Sequence, residues 1–365
     1  MGGAVRDAML GLPPGPEIDL VVEGDALPLA DRLGRALGAR VVSHPRFGTA
    51  SIETPHVGSV DLVSARREAY SAPGALPSVS PGTLADDLAR RDFSVNAMAL
   101  RLSGARAGEL VDPHGGAADL DARLVRLLRA DGFEEDPSRL VRAARYAARL
   151  GFALAPGTEA AARAAAPALD LGSARVASEL RRLLEEPSAA GALALLGRLG
   201  VPWVTSDPHA ALGALDAAAA RPDAPDLPRW ALRLGGGVEA GALEGAALPG
   251  WARALGREVG AGGALAGRLR SAAAPSEVDA LLRASPPATA VGALAAGAGA
   301  VAGWWSGDRA REPAVRGADL VRAGVPPGPE IGRALAAVRA AVLDGRVGGA
   351  DEQLAMALRL ARGEA

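Results

Sequence analysis

The apolar residues of this chain change their spacing near residue 120, and this change constrains the fold more than any other feature of the sequence. From about Leu120 onward, Ala, Leu and Arg recur at three- and four-residue spacings, which is typical of helices. The earlier part instead holds one helical stretch, Leu27–Leu37, among strand-like apolar runs at Ile18–Val22, Val60–Val63 and Val95–Leu100. The sequence therefore predicts an α+β fold, in which a small mixed β-sheet with helices precedes an all-helical remainder.

Composition supports the helical part and excludes several classes of protein. Hydrophobic residues make up 49% of the 365 residues and aromatic residues only 3%, so Ala, Leu and Val must fill the interior. No apolar run approaches the roughly 20 residues that cross a bilayer, and no basic, apolar leader is recognisable. The chain has no Cys, which excludes disulfides and thiolate metal sites. We therefore expect a soluble, cytoplasmic protein without a membrane partner.

Two glycines and two acids near the start of the chain have the pattern of a site for a phosphorylated ligand and a metal. Gly2 and Gly3 open the segment GGAVRD, and glycines allow backbone N–H groups to approach a triphosphate. Glu17 and Asp19 are two residues apart in a predicted strand, so both carboxylates face one side. Oxygen ligands of this kind suit Mg²⁺. A surface turn with two solvated acids explains the same residues equally well.

A further acid, Asp61, stands inside the apolar run SVDLV. It has two interpretations. Asp61 is either a charge that protects an edge strand from aggregation, or a third carboxylate that accepts the proton of an attacking hydroxyl. The run Arg66-Arg67-Glu68 that follows is typical of a solvated charged surface.

The segment DDLARRDFSVNAMA contains the only Asn of the chain, Asn96. Arg91 suits a phosphate because its planar guanidinium can bind two oxygens at once. Asp92 and Asn96, one turn apart in a helix, are suited to ribose hydroxyls. A helix cap explains Asp92 almost as well.

A basic helix is predicted after Pro137, because acids before a proline are a typical helix start. At about 100° per residue, four arginines share one polar arc of this helix. They are Arg139, Arg142, Arg145 and Arg149. A solvated arginine face is the commoner case for such a helix. Alternatively, Asp136 and Arg139 present an acceptor and donors to the edge of a nucleotide base.

The order of these motifs is similar to that of class II CCA-adding enzymes and bacterial poly(A) polymerases, a tRNA nucleotidyltransferase family of the polymerase β superfamily. From about Met1 to Phe152 the motifs are GGAVRD, EIDLVVEG, RFGTASIE, VDLVSARREAY, DDLARRDFSVNAMA, DPHGGAADL and EEDPSRLVRAARYAARLGF. Two further segments, SARVASELRRLL and RGADLVRAGVPPGPEIGRAL, extend the resemblance. The resemblance implies a catalytic head at residues 1–125 with a five-stranded sheet, a helical neck at 126–190, and a helical body and tail at 191–365.

The resemblance implies that the chain adds CCA to the 3′ end of tRNA from CTP and ATP, with release of pyrophosphate. It implies two Mg²⁺ ions held by Glu17 and Asp19, with Asp61 as a third catalytic acid. It also implies nucleotide binding by Gly2, Gly3, Arg6, Arg91, Asp92, Asn96, Asp136, Arg139, Arg142 and Arg145. Within this set, Asp136 and Arg139 match the residues that select the base. Arginines from Arg142 to Arg182 are expected to face the tRNA.

The sequence departs from the family pattern at three places. Glu17 stands where the family usually has Asp, and Ala174 stands where an acid is common. Family members also place an apolar strand before the two glycines, so we expect this head to lack its first strand.

Alternatives within the family are a poly(A) polymerase and an enzyme that adds only CC or only A. The segment RFGT at Arg46–Thr49 replaces the Arg-Arg-Phe element of poly(A) polymerases, whereas the loop between Tyr70 and Thr83 leaves the half-reactions open. An inactive RNA-binding homologue is the non-enzymatic alternative. A fused phosphohydrolase is not expected, because no Asp follows any of the four histidines. The sequence makes no prediction of oligomeric state.

Overall fold

The computed structural model describes residues 1–13, 15, 17–54, 58–69 and 78–363, without the side chains of Glu17, Arg46 and Ala69. These residues form two compact units, Met1–Pro202 and Trp203–Ala365. Most of the predicted loop between Tyr70 and Thr83 lies outside the described residues, as do His56 and the carboxylate of Glu17. The domain limits at residues 125 and 190 stay predictions.

The first unit opens with helix α1 (Gly3–Met9) and a mixed sheet that packs against helix α2 (Ala26–Leu37). The strands are β1 (Glu17–Val22), β2 (Arg40–His44), β3 (Thr49–Thr54) and β4 (Gly58–Ser64), in the spatial order β1-β4-β3-β2. β1 and β4 are parallel, whereas β3 is antiparallel to β2 and β4. The runs predicted at 18–22 and 60–63 and the helix predicted at 27–37 are confirmed. The described sheet has four strands, where the family resemblance implies five.

Side chains alternate between the two faces of the sheet, so one face forms the core and the other face can carry functional groups. Ile52, Val60 and Leu62 are buried and pack with Ala26 and Ala30 of α2. The small alanines allow the helix to lie close to the sheet, which suits a chain that is poor in aromatic residues. The residues between these core positions, including Asp61, face the opposite side of the sheet.

The remaining strands of this unit form two-stranded ladders: β5 (Arg66–Ala69) with β6 (Ser78–Pro81), β7 (Ala99–Leu100) with β8 (Leu110–Val111), and β9 (Leu124–Val125) with β10 (Ala153–Leu154). The accompanying helices are α3 (Leu84–Ala89), α4 (Gly116–Asp121), α5 (Gly132–Glu135), α6 (Ser138–Leu150), α7 (Pro156–Ala165), α8 (Ala174–Glu185) and α9 (Ala189–Leu199). The predicted all-helical region therefore includes one short strand, β10.

The strand predicted at Val95–Leu100 is wrong over most of its length. A 3₁₀ turn covers Ser94–Asn96, and only Ala99–Leu100 forms a strand. Val95, Ala97 and Met98 are all fully buried. An apolar run that is buried on every side carries no alternation, so its periodicity does not distinguish a strand from a buried turn.

The second unit is helical. Its helices are α10 (Pro208–Ala219), α11 (Arg229–Gly237), α12 (Gly250–Gly260), α13 (Gly262–Ser271), α14 (Pro275–Arg283), α15 (Pro287–Ala295), α16 (Ala300–Ser306), α17 (Gly317–Arg322), α18 (Pro329–Leu343) and α19 (Ala350–Arg362). Several begin with proline, whose missing N–H costs nothing at a helix start. One core cluster, with Trp304 and Trp305, spans α10 to α16, and another joins α17, α18 and α19. No helix in the described ranges is both long and apolar enough to cross a membrane.

Candidate active site

A cavity of about 500 Å³ in the first unit brings together side chains from most of the motifs. Its volume lies in the range of sites for small organic ligands. The predicted site residues that line it are Gly3, Arg6, Asp19, Arg91, Asp92, Asn96, Asp136, Arg139 and Arg142. Gly2, Asp61 and Arg145 lie outside the lining, and the Glu17 side chain is outside the described residues. Lining residues that sequence reasoning did not assign to the site are Ala4, Asp7, Gly15, Glu68, Arg90, Tyr146 and Arg149.

Gly2 shapes one end of the cavity through its backbone. Its φ of 61° and ψ of −127° are a conformation that favours glycine. A Cβ atom at this position would lie 2.5 Å from Nη1 of Arg91. The same Nη1 donates a hydrogen bond to the carbonyl oxygen of Asn96 at 3.1 Å. Gly2 therefore provides the space in which the Arg91 guanidinium is held.

Arg6 of α1 is buried beside Asn96. Its Nη1 donates to Oδ1 of Asn96 at 2.6 Å, and its Nε donates to Asp7 at 2.8 Å. Its guanidinium lies 5.2 Å from the centre of the Tyr146 ring. The guanidinium is therefore fixed from three directions before any ligand binds.

Asp92 joins the 3₁₀ turn at Ser94–Asn96 to helix α6. Its Oδ1 accepts hydrogen bonds from the Phe93 N–H at 2.8 Å and from the Asn96 amide at 3.1 Å, and its Oδ2 accepts one from Arg142 at 2.8 Å. Burial by itself raises the pKa of Asp92, but the Arg142 cation and the hydrogen bonds outweigh it and lower that pKa. Asp92 is therefore ionised at neutral pH, and it joins the turn to α6 rather than capping a helix.

The arginine face of α6 is not a solvated surface. Arg142 and Arg145 both donate to Glu179 of α8, at 3.3 and 3.0 Å, and Arg145 also donates to Glu186 at 2.9 Å. The Glu179 side chain is only 5% exposed. Arg139 is also buried, and its Nη1 donates to the Gly132 carbonyl oxygen at 3.2 Å. Buried cations require such partners, so this face is an ordered wall of the cavity.

Asp136 is held at the start of α6. Its Oδ1 accepts hydrogen bonds from the Ser138 N–H and hydroxyl, at 3.1 and 2.6 Å. Its Oδ2 lies 2.9 Å from Nη1 of Arg175. The carboxylate thus anchors the helix and also lines the cavity, and its contact with a base stays a prediction.

Asp19 and Asp61 are the described acids that fit a metal. They are direct partners in the parallel ladder between β1 and β4, so their side chains leave the same face of the sheet. Within the described part of the chain, no three His, Asp or Glu side chains gather as a metal site. Mg²⁺ is commonly bound by one or two carboxylates together with substrate phosphates, and this pair suits that mode.

Of the lining residues that were not assigned to the site, Tyr146 had a sequence signal that could have identified it, whereas Glu68 had none. Glu68 was interpreted as part of a solvated run, but its side chain is 8% exposed and lies 2.8 Å from Arg90. A buried partner for it could not be inferred from local spacing. Tyr146 follows Arg142 by four residues and precedes Arg149 by three, which places it on the arginine arc of α6.

The chain is similar to several proteins of known activity. Residues 1–126 match the Poly A polymerase head domain. The chain is 46% identical over 200 residues to a CC-adding tRNA nucleotidyltransferase of Deinococcus radiodurans, covering 55% of this chain and 53% of that protein. It is 40% identical over 206 residues to an A-adding tRNA nucleotidyltransferase of Halalkalibacterium halodurans, covering 55% and 48%.

The structure is also similar to that of a Thermotoga maritima CCA-adding enzyme complexed with tRNA, with a TM-score of 0.77 and 26% identity. This match covers 98% of this chain and 89% of that one. The chain spans about half the length of the curated relatives that it matches. Residues 1–126 therefore match a Poly A polymerase head domain, and the chain is similar in sequence and in structure to tRNA nucleotidyltransferases.

Proposed function

We propose that this protein adds the CCA sequence to the 3′ end of tRNA, one nucleotide at a time, from CTP and ATP. The observation that carries the proposal is the cavity itself, which joins Asp19, the Arg91–Asn96 turn and the Asp136–Arg139 pair in one lining. These groups suit the three parts of a nucleoside triphosphate, which are its phosphates, its ribose and its base.

Arg6 and Arg91 are proposed to bind the phosphates. Both guanidiniums are ordered by contacts within the protein, so little conformational entropy is lost when they bind an anion. Asp92 and Asn96 are proposed to meet the ribose hydroxyls. Arg142 holds the Asp92 carboxylate and lines the same cavity.

Asp136 and Arg139 are proposed to select the base. A carboxylate only accepts hydrogen bonds, and cytosine and adenine each present an exocyclic amino group, N4 or N6, that donates one. Uracil and guanine present a carbonyl oxygen at the corresponding place, and two acceptors repel. Ser138 and Arg175 occupy part of the carboxylate, so its remaining acceptor capacity points in a restricted direction.

Asp19 is proposed to hold catalytic Mg²⁺, with Asp61 beside it and with Glu17 as a further ligand on the strength of the sequence. When bound, Mg²⁺ would offset the negative charge of the phosphates and of the attacking hydroxyl. Asp61 shares the sheet face of Asp19, and Ser59 Oγ donates to its Oδ1 at 3.4 Å. This carboxylate is proposed to orient the 3′ hydroxyl of the RNA and accept its proton.

The proposed partner is tRNA, and the proposed location is the cytoplasm. Arg163, Arg181 and Arg182 each expose more than half of their side chains, at 54%, 53% and 60%. Exposed arginines on helices of the first unit suit contacts to a phosphate backbone, which position an RNA without reading its sequence.

The proposal is tested by incubating purified protein with Mg²⁺, CTP, ATP and tRNA that lacks its 3′ end. We expect addition of two C residues and then one A. Asp19→Ala should abolish addition, because it removes a metal ligand. Asp31→Ala changes an exposed acid of α2 and serves as the matched control with normal addition.

The products separate the alternatives. Long A tails made without use of CTP would identify a poly(A) polymerase instead. The relatives are named A-adding and CC-adding enzymes, so a half-reaction is the second candidate. Addition of only CC, or of only A to tRNA that ends in CC, would identify it. Near-normal turnover by Asp19→Ala would refute the metal assignment.

A further inference from the structure

Tyr146 carries an inference about how the nucleotide is held. Three guanidiniums lie against its ring, with centroid distances of 5.2 Å for Arg6, 4.8 Å for Arg145 and 5.0 Å for Arg149. The edge of the ring also meets Phe93, at 6.0 Å between centroids. Guanidiniums over an aromatic face are attracted by the negative charge of the ring face. The ring is therefore a rigid centre around which these cations are arranged.

Arg6 depends on this ring for its orientation. Its Nε and one Nη donate to Asp7 and Asn96, which fixes one edge of the guanidinium. The Tyr146 ring supports it from another direction. Because Arg6 is on α1 and Tyr146 is on α6, the contact joins α1 to the helix that carries Arg139 and Arg142.

The hydroxyl of Tyr146 has no hydrogen-bond partner in the described part of the chain. Among the described residues, no side chain or backbone group forms a hydrogen bond with it, yet the residue lines the cavity and the oxygen is not a buried unsatisfied atom. A phenol hydroxyl is a strong donor to an anionic oxygen. It is therefore open to a ligand in the cavity.

The position of Tyr146 along α6 indicates which part of the ligand it meets. A helix rises about 1.5 Å per residue, so Tyr146 lies roughly 10 Å beyond Arg139. Asp136 and Arg139 stand at the proposed base end of the cavity. Arg6, which is proposed to bind the phosphates, lies against the Tyr146 ring and pairs with Asp7, and Arg149 lies against the same ring and 3.5 Å from Glu186.

We propose that the Tyr146 hydroxyl donates a hydrogen bond to the phosphate tail of the bound nucleotide, while the Tyr146 ring orients Arg6 toward the same phosphates. This inference rests on the proposed nucleotide site, and it adds a residue to it. The hydroxyl and the ring have separable roles, because phenylalanine keeps the ring and loses the hydroxyl.

The test measures equilibrium binding, which needs no turnover. The affinities of the full chain for CTP, CMP and inorganic triphosphate are measured with Mg²⁺ for wild type, Tyr146→Phe and Tyr146→Leu. Loss of a hydrogen bond to a charged group predicts about tenfold weaker binding of CTP and inorganic triphosphate by Tyr146→Phe. Binding of CMP, measured by competition, should change less than about twofold. Tyr146→Leu should weaken CTP binding further, because Arg6 loses its support.

Several results would overturn the inference. Tyr146→Phe that binds CTP as tightly as wild type would show that the hydroxyl meets no ligand. Equal losses for CMP and CTP, or a lowered unfolding temperature for Tyr146→Phe, would show a structural role only. Wild-type protein that binds no CTP would overturn it together with the proposed function. Wild-type protein that binds CTP but transfers no nucleotide would refute the proposed function alone, and the binding comparison would still decide the role of Tyr146.

Discussion

Gly2→Ala is a small perturbation with a large expected effect. The Gly2 backbone, with φ of 61° and ψ of −127°, is strained for any residue with a Cβ atom. The added methyl group would also lie 2.5 Å from Nη1 of Arg91, where ordinary contact begins near 3.4 Å. Arg91 must therefore retreat by about 1 Å, and its hydrogen bond to Asn96 must lengthen or break.

The two consequences appear in different quantities, one in the free energy of unfolding and the other in the rate of catalysis. Backbone strain of this kind costs about 1–3 kcal/mol of unfolding free energy. A 1 Å displacement of a group that positions substrate can reduce catalysis by about a hundredfold. The second effect should therefore dominate the assay, and it should appear in kcat/KM for every nucleotide, because Arg91 is proposed to bind phosphates.

Gly11→Ala is the matched control. Gly11 also has a positive φ, 67°, but a Cβ atom there would meet nothing within 4 Å. We expect both variants to lose stability in denaturant titrations. Only Gly2→Ala should lose about a hundredfold in kcat/KM for CTP and ATP. Equal kinetics for the two variants would refute the idea that Gly2 makes room for Arg91.

Two further predictions concern base selection and acid stability. Asp136→Ala or Arg139→Ala should relax selection among the four nucleotides by about a hundredfold while slowing the best substrate less. The selection is measured as kcat/KM for each nucleotide. Equal losses for all four nucleotides would show that Asp136 only anchors the helix. Burial raises the pKa of Asp279, but hydrogen bonds from Arg339 and Trp304 outweigh it and lower that pKa from 3.8 to about 2. The carboxylate should therefore contribute about 2 kcal/mol to the free energy of unfolding above pH 4, and this contribution should be lost as the pH falls toward 2. In denaturant titrations, Asp279→Asn should remove this pH dependence. An unchanged pH profile in the variant would contradict the assignment.

Local periodicity was sufficient for several elements that bury one face. β1, β4 and α2 were predicted from apolar spacing because each packs one face on the same core. Spacing also placed the arginines of α6 on one side. Periodicity failed at Val95–Leu100, where the chain turns inside the core and Val95, Ala97, Met98 and Ala99 are all buried.

The partners of the charged groups could not be predicted, because they lie far apart in sequence. Arg142 bonds to Asp92, 50 residues earlier, and to Glu179, 37 residues later. Arg90 bonds to Glu68, 22 residues earlier. A charged helix face has the same local pattern whether water or a buried carboxylate meets it. Only the fold distinguishes the two cases.

These long-range bonds bear on how the proposed site would accept two bases and reject two. Arg142 ties α6 to Asp92, and Arg139 reaches the Arg90 carbonyl oxygen at 3.5 Å, so α6 is bonded to the turn that is proposed to bind the phosphates and ribose. Removing one partner of a buried ion pair costs about 3–5 kcal/mol. A base contact contributes about 1–3 kcal/mol of discrimination. Under the proposed function, the free energy of a wrong base would therefore not offset the cost of a shift of α6 that relieves its mismatch. The site would discriminate because the helix that holds Arg139 is fixed by these bonds.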